Sequence, residues 1–366
     1  MQFNRQVFLN ILANHQSNLD KKAINPIFSS IKLITNDKEL KIISTDGQRY
    51  LEQTMEGSFE NSSLFINGIT LYEILKKSKS ESFMIKETFE FYKILIDNAE
   101  FKFSKQITSE FPEWPNEYEN NCKIKADILL EGLKTVKWAA SLEEARPSLT
   151  GVCFDFCNNV LNLCSTDSLR LAIFKIFDNY FYTKKIILGK KSITELIKLL
   201  EDFGSTEINF YVGTSVKIIG KTNNLKTTWK SLCINGNFPN YEKLLSDKKI
   251  FNASFVCNAQ EILEIITRIM VVSNQHQHTL ILKFKEKENS KISAENAISE
   301  GEDILVGEYT GKTLKILFDG KFLEEMLNNI DGKIIFEITD PFSPINIKKI
   351  ENNGSLFILA PIRPDL

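Results

Sequence analysis

The chain has 366 residues, 43% of them hydrophobic and 25% charged, the make-up of an ordinary folded protein longer than one hydrophobic core usually serves. Its formal charge of −2 excludes a uniformly basic nucleic-acid binder but leaves room for a basic face. No stretch approaches the roughly 18 apolar residues of a membrane span, and Met1 to Arg5 lacks the basic-then-apolar order of a secretion signal, so a cytoplasmic protein without membrane contact is expected. The six cysteines (Cys122, Cys153, Cys157, Cys164, Cys233, Cys257) form no C-x-x-C pair and read as reduced core side chains. His276 and His278 alternate with no third ligand nearby, so neither a metal nor a cofactor is expected.

In chain order, Arg5 to Asn14 spaces Val7, Phe8, Ile11 and Leu12 along one helical face. A hairpin from Ile31 to Ile43, turning at Asn36-Asp37, ends in Ser44-Thr45-Asp46-Gly47-Gln48-Arg49-Tyr50. A second helix is predicted from about Leu71 to Lys79, apolar at Leu71, Ile74 and Leu75. Its Lys76, Lys77 and Lys79 gather toward the C-terminal end, where the helix dipole favours cations. Strands close the segment at Phe101-Lys102-Phe103-Ser104, and Phe111-Pro112-Glu113-Trp114-Pro115 marks a linker.

The same order then restarts. Asp127 reads as the N-cap of a helix carrying Ile128, Leu129, Leu130, Leu133 and Val136, with Lys134 and Lys137 at polar positions. A hairpin alternates Val152, Phe154 and Phe156, turns at Asn158-Asn159 and ends in Cys164-Ser165-Thr166-Asp167-Ser168-Leu169-Arg170-Leu171-Ala172. Asp46 and Asp167 stand 121 residues apart, which is a domain period. The next helix, about Ser192 to Glu201, is apolar at Ile193, Leu196, Ile197 and Leu200, follows Lys190-Lys191 and carries Lys198, and Phe238-Pro239 then repeats Phe111-Pro112. A third copy places Ile262, Leu263, Ile265 and Ile266 in its first helix and Phe322, Leu323, Met326 and Leu327 in its second. Its hairpin ends in Ile292-Ser293-Ala294-Glu295-Asn296 rather than Ser-Thr-Asp, and the charged run Lys285 to Lys291 reads as a solvated turn. The predicted fold is α+β: three tandem repeats at 1–120, 121–247 and 248–366, each with two helices packed on antiparallel sheet.

Three such units resemble the sliding-clamp family, the β subunit of bacterial DNA polymerase III, over the whole chain. Four stretches carry the resemblance: Arg146-Pro147-Ser148-Leu149-Thr150-Gly151 with its hairpin, Thr166 to Ala172, Phe238-Pro239-Asn240-Tyr241, and Phe357-Ile358-Leu359-Ala360-Pro361-Ile362-Arg363. The resemblance implies a DNA-clamp fold, a head-to-tail dimeric ring, no catalysis and no cofactor. Its implied work is to encircle duplex DNA without sequence specificity and to tether the replicative polymerase, conferring processivity. Implied partners are double-stranded DNA, a second copy of the chain, the DNA polymerase III alpha subunit, the clamp-loader complex and other clients carrying a clamp-binding peptide.

By the same resemblance a client cleft has one wall from Leu149, Thr166, Ser168, Leu169, Arg170 and Leu171. Pro239, Lys243 and Leu244 form a second, and Ile358, Ala360, Pro361, Ile362 and Arg363 a third, with Arg170 and Arg363 as flanking guanidiniums. Phe101 and Phe103 are expected to face Val271 and Val272 of a second copy. DNA contacts are expected from Lys22, Lys76, Lys77, Lys134, Lys137, Arg146, Lys190, Lys191, Lys198 and Arg268, most of which recur on equivalent helices with Lys79 and Lys321, whereas acidic residues dominate loops such as Glu110 to Glu119. Three features depart from the family: Ser168 stands where Gly is common, Ala360 replaces a bulkier residue, and Pro364-Asp365-Leu366 extends the end.

Two other readings compete. Asp46 and Asp167 as metal-binding carboxylates for phosphoryl transfer lack a companion carboxylate, histidine or phosphate loop, and a turn aspartate bonding its own backbone explains them. A three-repeat protein-interaction scaffold that never encircles DNA stays open, separated by retention on circular against linear DNA.

Overall fold

A computed structural model of the chain describes residues 1–105, 111–112, 114–157, 159–178, 182–222, 224–245, 250–274, 278–286, 288–351 and 354–363. The expectations at Glu110, Glu113, Asn158, His276 and 364–366 lie outside them. One element order appears three times. First come β1 (Gln2–Asn4), α1 (Arg5–His15), β2 (Ser30–Thr35), β3 (Glu39–Thr45), β4 (Arg49–Glu56), β5 (Ser62–Asn67), α2 (Gly68–Lys77), β6 (Ser82–Glu87), β7 (Phe91–Ile96) and β8 (Ala99–Ser104). Next are β9 (Tyr118–Lys125), α3 (Ala126–Val136), β10 (Gly151–Cys157), β11 (Val160–Thr166), β12 (Arg170–Phe177), β13 (Lys184–Gly189), α4 (Lys190–Phe203), β14 (Glu207–Gly213), β15 (Ser215–Thr222) and β16 (Leu225–Leu232). The last are β17 (Ala253–Asn258), α5 (Ala259–Met270), β18 (Thr279–Phe284), β19 (Lys291–Glu295), β20 (Glu300–Ile304), the additional β21 (Glu308–Thr310), β22 (Leu314–Asp319), α6 (Gly320–Leu327), β23 (Lys333–Ile338), β24 (Ile345–Lys349) and β25 (Ser355–Leu359).

Helix starts follow from short polar side chains. Asn4, Asn67, Asn258 and Asp319 each accept a hydrogen bond from a backbone N–H of the first turn of α1, α2, α5 and α6. The Asn67 cap starts α2 at Gly68, earlier than its apolar spacing predicts, and the helix ends at Lys77, leaving Lys79 beyond it. Asp127 is not a cap: it is the second residue of α3 and accepts from Ile128 N. Lys137 falls in a 3-10 turn, Lys137–Ala139. In α1, Val7 is exposed and His15 takes the inward place at the far end. Strand β10 does not alternate, because both its faces are covered: Cys153 and Asp155 are as buried as Phe154 and Phe156. Burial raises the thiol pKa of Cys153 and Cys257 to about 12.

Contacts divide the chain into two compact units whose boundary falls inside the middle segment. Unit one joins Met1–Leu130 to Lys191–Cys233, and unit two joins Glu131–Lys190 to Ile234–Leu366. Unit one holds a sheet ordered β1-β6-β7-β8 and a larger one ordered β5-β2-β3-β4-β16-β15-β14-β9. Unit two holds β13-β10-β11-β12-β25-β24-β23-β17-β21 and β20-β19-β18-β22. In each, the strand after a hairpin loop pairs antiparallel with the closing strand of the next segment, β4 with β16 and β12 with β25.

Candidate partner-binding loop and nucleic-acid face

The β3–β4 and β11–β12 loops share one hydrogen-bond scheme. Thr45 Oγ1 donates to Arg49 O at 2.7 Å and accepts from Gly47 N at 3.1 Å, while Asp46 Oδ1 accepts from Gln48 N and Arg49 N. Thr166 Oγ1 donates to Arg170 O at 2.6 Å and accepts from Ser168 N at 3.1 Å, while Asp167 Oδ1 accepts from Leu169 N and Arg170 N. The second oxygen of each aspartate holds the guanidinium of its own loop, Asp46 with Arg49 and Asp167 with Arg170. Each repeated carboxylate is thus engaged by its own turn, as a structural aspartate should be. Gly47 and Ser168 take the same left-handed backbone, φ 84° and 87°. Ser168 is therefore the strained member of the pair.

Arg170 does not flank an open groove. It is buried, its Nη1 donates to Glu325 on α6, and its guanidinium lies 4.3 Å from the Phe322 ring centroid and 5.3 Å from that of Trp138. Its charge is satisfied inside unit two. The three stretches expected to line the cleft do converge there. Leu171, Tyr241 and Ile358 share one apolar cluster with Cys153, Cys164, Ile173 and Ile187, and Leu171 lies opposite Ile358 in the β12–β25 ladder. The C-terminal segment is fastened onward by Ala360 N to Leu169 O at 2.9 Å and Ile362 N to Leu317 O at 2.7 Å.

Leu149, Thr166, Leu171 and Ile358 are buried rather than open as walls. Of the other expected residues Leu169 is 55% and Leu244 37% exposed, with Ser168, Pro239, Lys243 and Arg363 exposed and Ala360, Pro361 and Ile362 half-buried. Leu169 and Leu244 are thus the apolar side chains open to a partner. The sequence reading missed buried Asp155 and its exposed partner Lys185, which support Tyr241. A carboxylate amid the apolar run Val152 to Phe156 was the available signal.

All ten residues proposed for phosphate contact are exposed. On α2, Lys76 Nζ lies 5.7 Å from the Tyr72 ring and Lys77 Nζ 4.0 Å from Glu73. Arg146 Nη1 donates to Ser168 Oγ at 3.3 Å, which ties it to the loop, and Arg268 is held by Asp303 of β20 at 2.5 Å. Each of the four sheets ends in two strands with a neighbour on one side only, and β8, beyond β7, and β20, beyond β19, are two of these edges. Phe101 and Phe103 on β8 pack partly against the core of unit one, and Val271, just after α5, is 81% exposed with Val272 half-buried beside it.

Family profiles for the N-terminal, central and C-terminal domains of the DNA polymerase III beta subunit match residues 1–115, 123–240 and 249–363. Among curated relatives, the beta sliding clamp of Haemophilus influenzae is 25% identical over 350 residues and that of Bacillus subtilis 26% over 359, each alignment covering 92% of both chains. Among solved structures, the DNA polymerase III subunit beta of Pseudomonas aeruginosa superposes with a TM-score of 0.91 at 22% identity, covering 100% of both chains. The DNA polymerase sliding clamp of Bacillus subtilis gives 0.90 at 22%, covering 100% of this chain and 99% of the other.

Proposed function

The chain belongs to the DNA polymerase III beta subunit family, and we infer that it works as that family's DNA sliding clamp, a non-catalytic processivity subunit. Two copies close head to tail around duplex DNA and hold the replicative polymerase to its template. The observation that carries this reading is the pattern of strand junctions. Hairpin strands β4 and β12 each continue a sheet into the closing strand of the next repeat, and β20 and β8 are the one hairpin strand and the one closing strand left over. Pairing β20 of one copy with β8 of another repeats the junction and covers these two edges. Phe101 and Phe103 then meet Val271 and Val272 of the second copy. Burying side chains of this size contributes about 1.5–3 kcal/mol each, so Val271→Asp/Val272→Asp is expected to give monomers in sedimentation.

The exposed lysines and arginines hold phosphates by long-range attraction and read no base edge, so the ring slides. The alpha subunit of the polymerase, the clamp loader and other clients dock through short peptides on the surface around Leu169 and Leu244. Two or three apolar anchors of about 2 kcal/mol each, less the ordering of a flexible peptide, correspond to roughly micromolar dissociation constants, suited to exchange of clients. The test is topological: the loaded protein should stay on circular duplex DNA at a salt concentration that strips it from linear DNA. Equal loss from both leaves the scaffold that does not encircle DNA.

A further inference from the structure

Tyr241 belongs to the Phe238-Pro239-Asn240-Tyr241 stretch, and the residues on either side of it, Pro239, Lys243 and Leu244, form one wall of the surface just described. Its ring is buried in the cluster that contains Leu171 and Ile358, and stands edge-on to Phe238 at 6.2 Å. Its hydroxyl donates to Asp155 Oδ2 at 2.6 Å, on a strand 86 residues earlier in the chain. Asp155 is buried and lies directly opposite Lys185 in the β10–β13 ladder, with Lys185 Nζ 3.1 Å from the same Oδ2. Lys185 Nζ reaches Glu242 Oε1 at 2.9 Å and sits 5.4 Å from the Tyr241 ring centroid. The 3-10 turn Glu242–Leu244 is therefore fastened at two adjacent residues by one pair of charges on β10 and β13. The Cys153 and Cys164 thiols border this network, and burial drives both upward, so they stay neutral.

We propose that Asp155 and Lys185 are positioning residues for client binding: acting through Tyr241 and Glu242, they fix the Pro239–Leu244 wall at the distance from the Leu169 loop that a client peptide spans. The inference rests on reading this surface as the client site. Neither residue touches the client. A carboxylate held on a rigid two-strand ladder is a stiffer mount than the linker itself could supply, because the turn has no ladder partner of its own.

The experiment measures, by titration calorimetry on the full-length chain, the affinity of a synthetic peptide bearing a glutamine and paired leucine and phenylalanine anchors. Tyr241→Phe keeps the ring and removes only the hydroxyl link. Asp155→Asn removes the charge, and Lys185→Met against Lys185→Arg separates loss from conservative replacement. Tyr241→Phe, Asp155→Asn and Lys185→Met are expected to weaken binding about fivefold to tenfold with circular dichroism and dimer sedimentation unchanged, and Lys185→Arg to restore it. The discriminating readout is a double-mutant cycle. In a Leu244→Ala background the Tyr241→Phe effect should fall below twofold, whereas in a Leu169→Ala background it should persist in full. Equal effects in both backgrounds, or unchanged affinity in Tyr241→Phe and Lys185→Met, overturn the positioning role while leaving the cleft intact. A peptide that fails to bind the wild-type chain overturns the cleft and this inference with it.

Discussion

The β3–β4 and β11–β12 loops fold by the same hydrogen bonds, yet one is sealed and the other open. In unit one, Arg49 Nη1 meets Glu195 Oε2 at 3.3 Å and Nη2 donates to Ser17 O at 2.8 Å, and Glu195 also accepts from Trp229 Nε1 at 3.0 Å and from Ser17 Oγ at 2.9 Å. In unit two, Arg170 reaches a Glu325 whose side chain is 51% exposed. Both tips are exposed, but Gln48 in the first loop is polar and Leu169 in the second is apolar. In the first case the turn is a latch locked onto a buried carboxylate. In the second it is a latch whose tip offers an apolar side chain to a partner.

The comparison breaks most visibly at the arginines. Arg49→Met leaves Glu195 buried without its counter-charge, which should cost about 3–5 kcal/mol of stability in unit one. Arg170→Met should cost about 1–2 kcal/mol, since Glu325 turns to water and the losses are the local Asp167 pair and the guanidinium contacts with Phe322 and Trp138. Urea denaturation followed through Trp229 for unit one and Trp138 for unit two measures the two values. Burial already pushes the Glu195 carboxyl above its usual range against the pull of Arg49. With Arg49 gone, the group moves higher still and folds most easily protonated. The Arg49→Met deficit should therefore shrink as pH falls toward 5 and grow as pH rises. Equal deficits in the two units would end the distinction between sealed and open latches.

Next in size is partner binding. Leu169→Asp replaces the exposed apolar tip with a charge and should weaken client peptides by about 30-fold, the equivalent of one anchor of roughly 2 kcal/mol. Gln48→Asp at the same place in unit one should change peptide affinity less than twofold in the same titration. Loss of binding in the Gln48 variant would mean that both loops dock partners.

The sequence carried the repeats plainly, because helix periodicity, hairpin turns and the 121-residue spacing are local signals. It carried the convergence of the stretches holding Leu171, Tyr241 and Ile358 only through resemblance, since strand pairing across such separations leaves no periodic trace. Arg170 was misread for a specific reason. A guanidinium needs water or a partner, and the partner, Glu325, lies 155 residues away on a helix whose facing side periodicity cannot orient. The pairing of β4 with β16 and of β12 with β25 was equally hidden, so the division through the middle repeat was invisible before the fold was in hand.

A smaller effect separates the units by pH. His15 Nδ1 lies 2.7 Å from Ser44 Oγ, and the equivalent place 121 residues on is Val136, whose carbonyl accepts from Ser165 Oγ. Burial lowers the His15 pKa to about 3, so the folded chain keeps it neutral while the unfolded chain protonates near 6.5. A lowered histidine pKa contributes stability that is complete above pH 6.5 and lost as pH falls below it, at up to about 1.4 kcal/mol per pH unit. Between pH 6.5 and 5.5 unit one should therefore weaken more steeply than unit two. His15→Val, which installs the residue of the second repeat, should flatten the slope because it removes the titrating imidazole. A slope unchanged by the substitution would assign the pH dependence to other groups.

The smallest expected effect lies at the loop tips. Ser168 holds φ 87°, a region that costs an L-residue about 1–2 kcal/mol, and its hydroxyl receives only one hydrogen bond, from the exposed Arg146 at 3.3 Å. Ser168→Gly relieves that strain but adds about 0.4–1 kcal/mol of unfolded-chain entropy, so a net gain of roughly 0.5 kcal/mol is expected. Gly47→Ser runs the other way. It takes on the strain at φ 84°, and its new Cβ would meet the Phe28 ring at 3.4 Å, so a loss of about 1 kcal/mol or more is expected. Opposite signs in thermal denaturation of the two variants would confirm that both loops use one left-handed turn and that only the first has the residue suited to it. If Ser168→Gly instead lowers stability, the Arg146 contact outweighs backbone strain at this tip, and Ser168 belongs with Arg146 as a brace of the partner-binding loop.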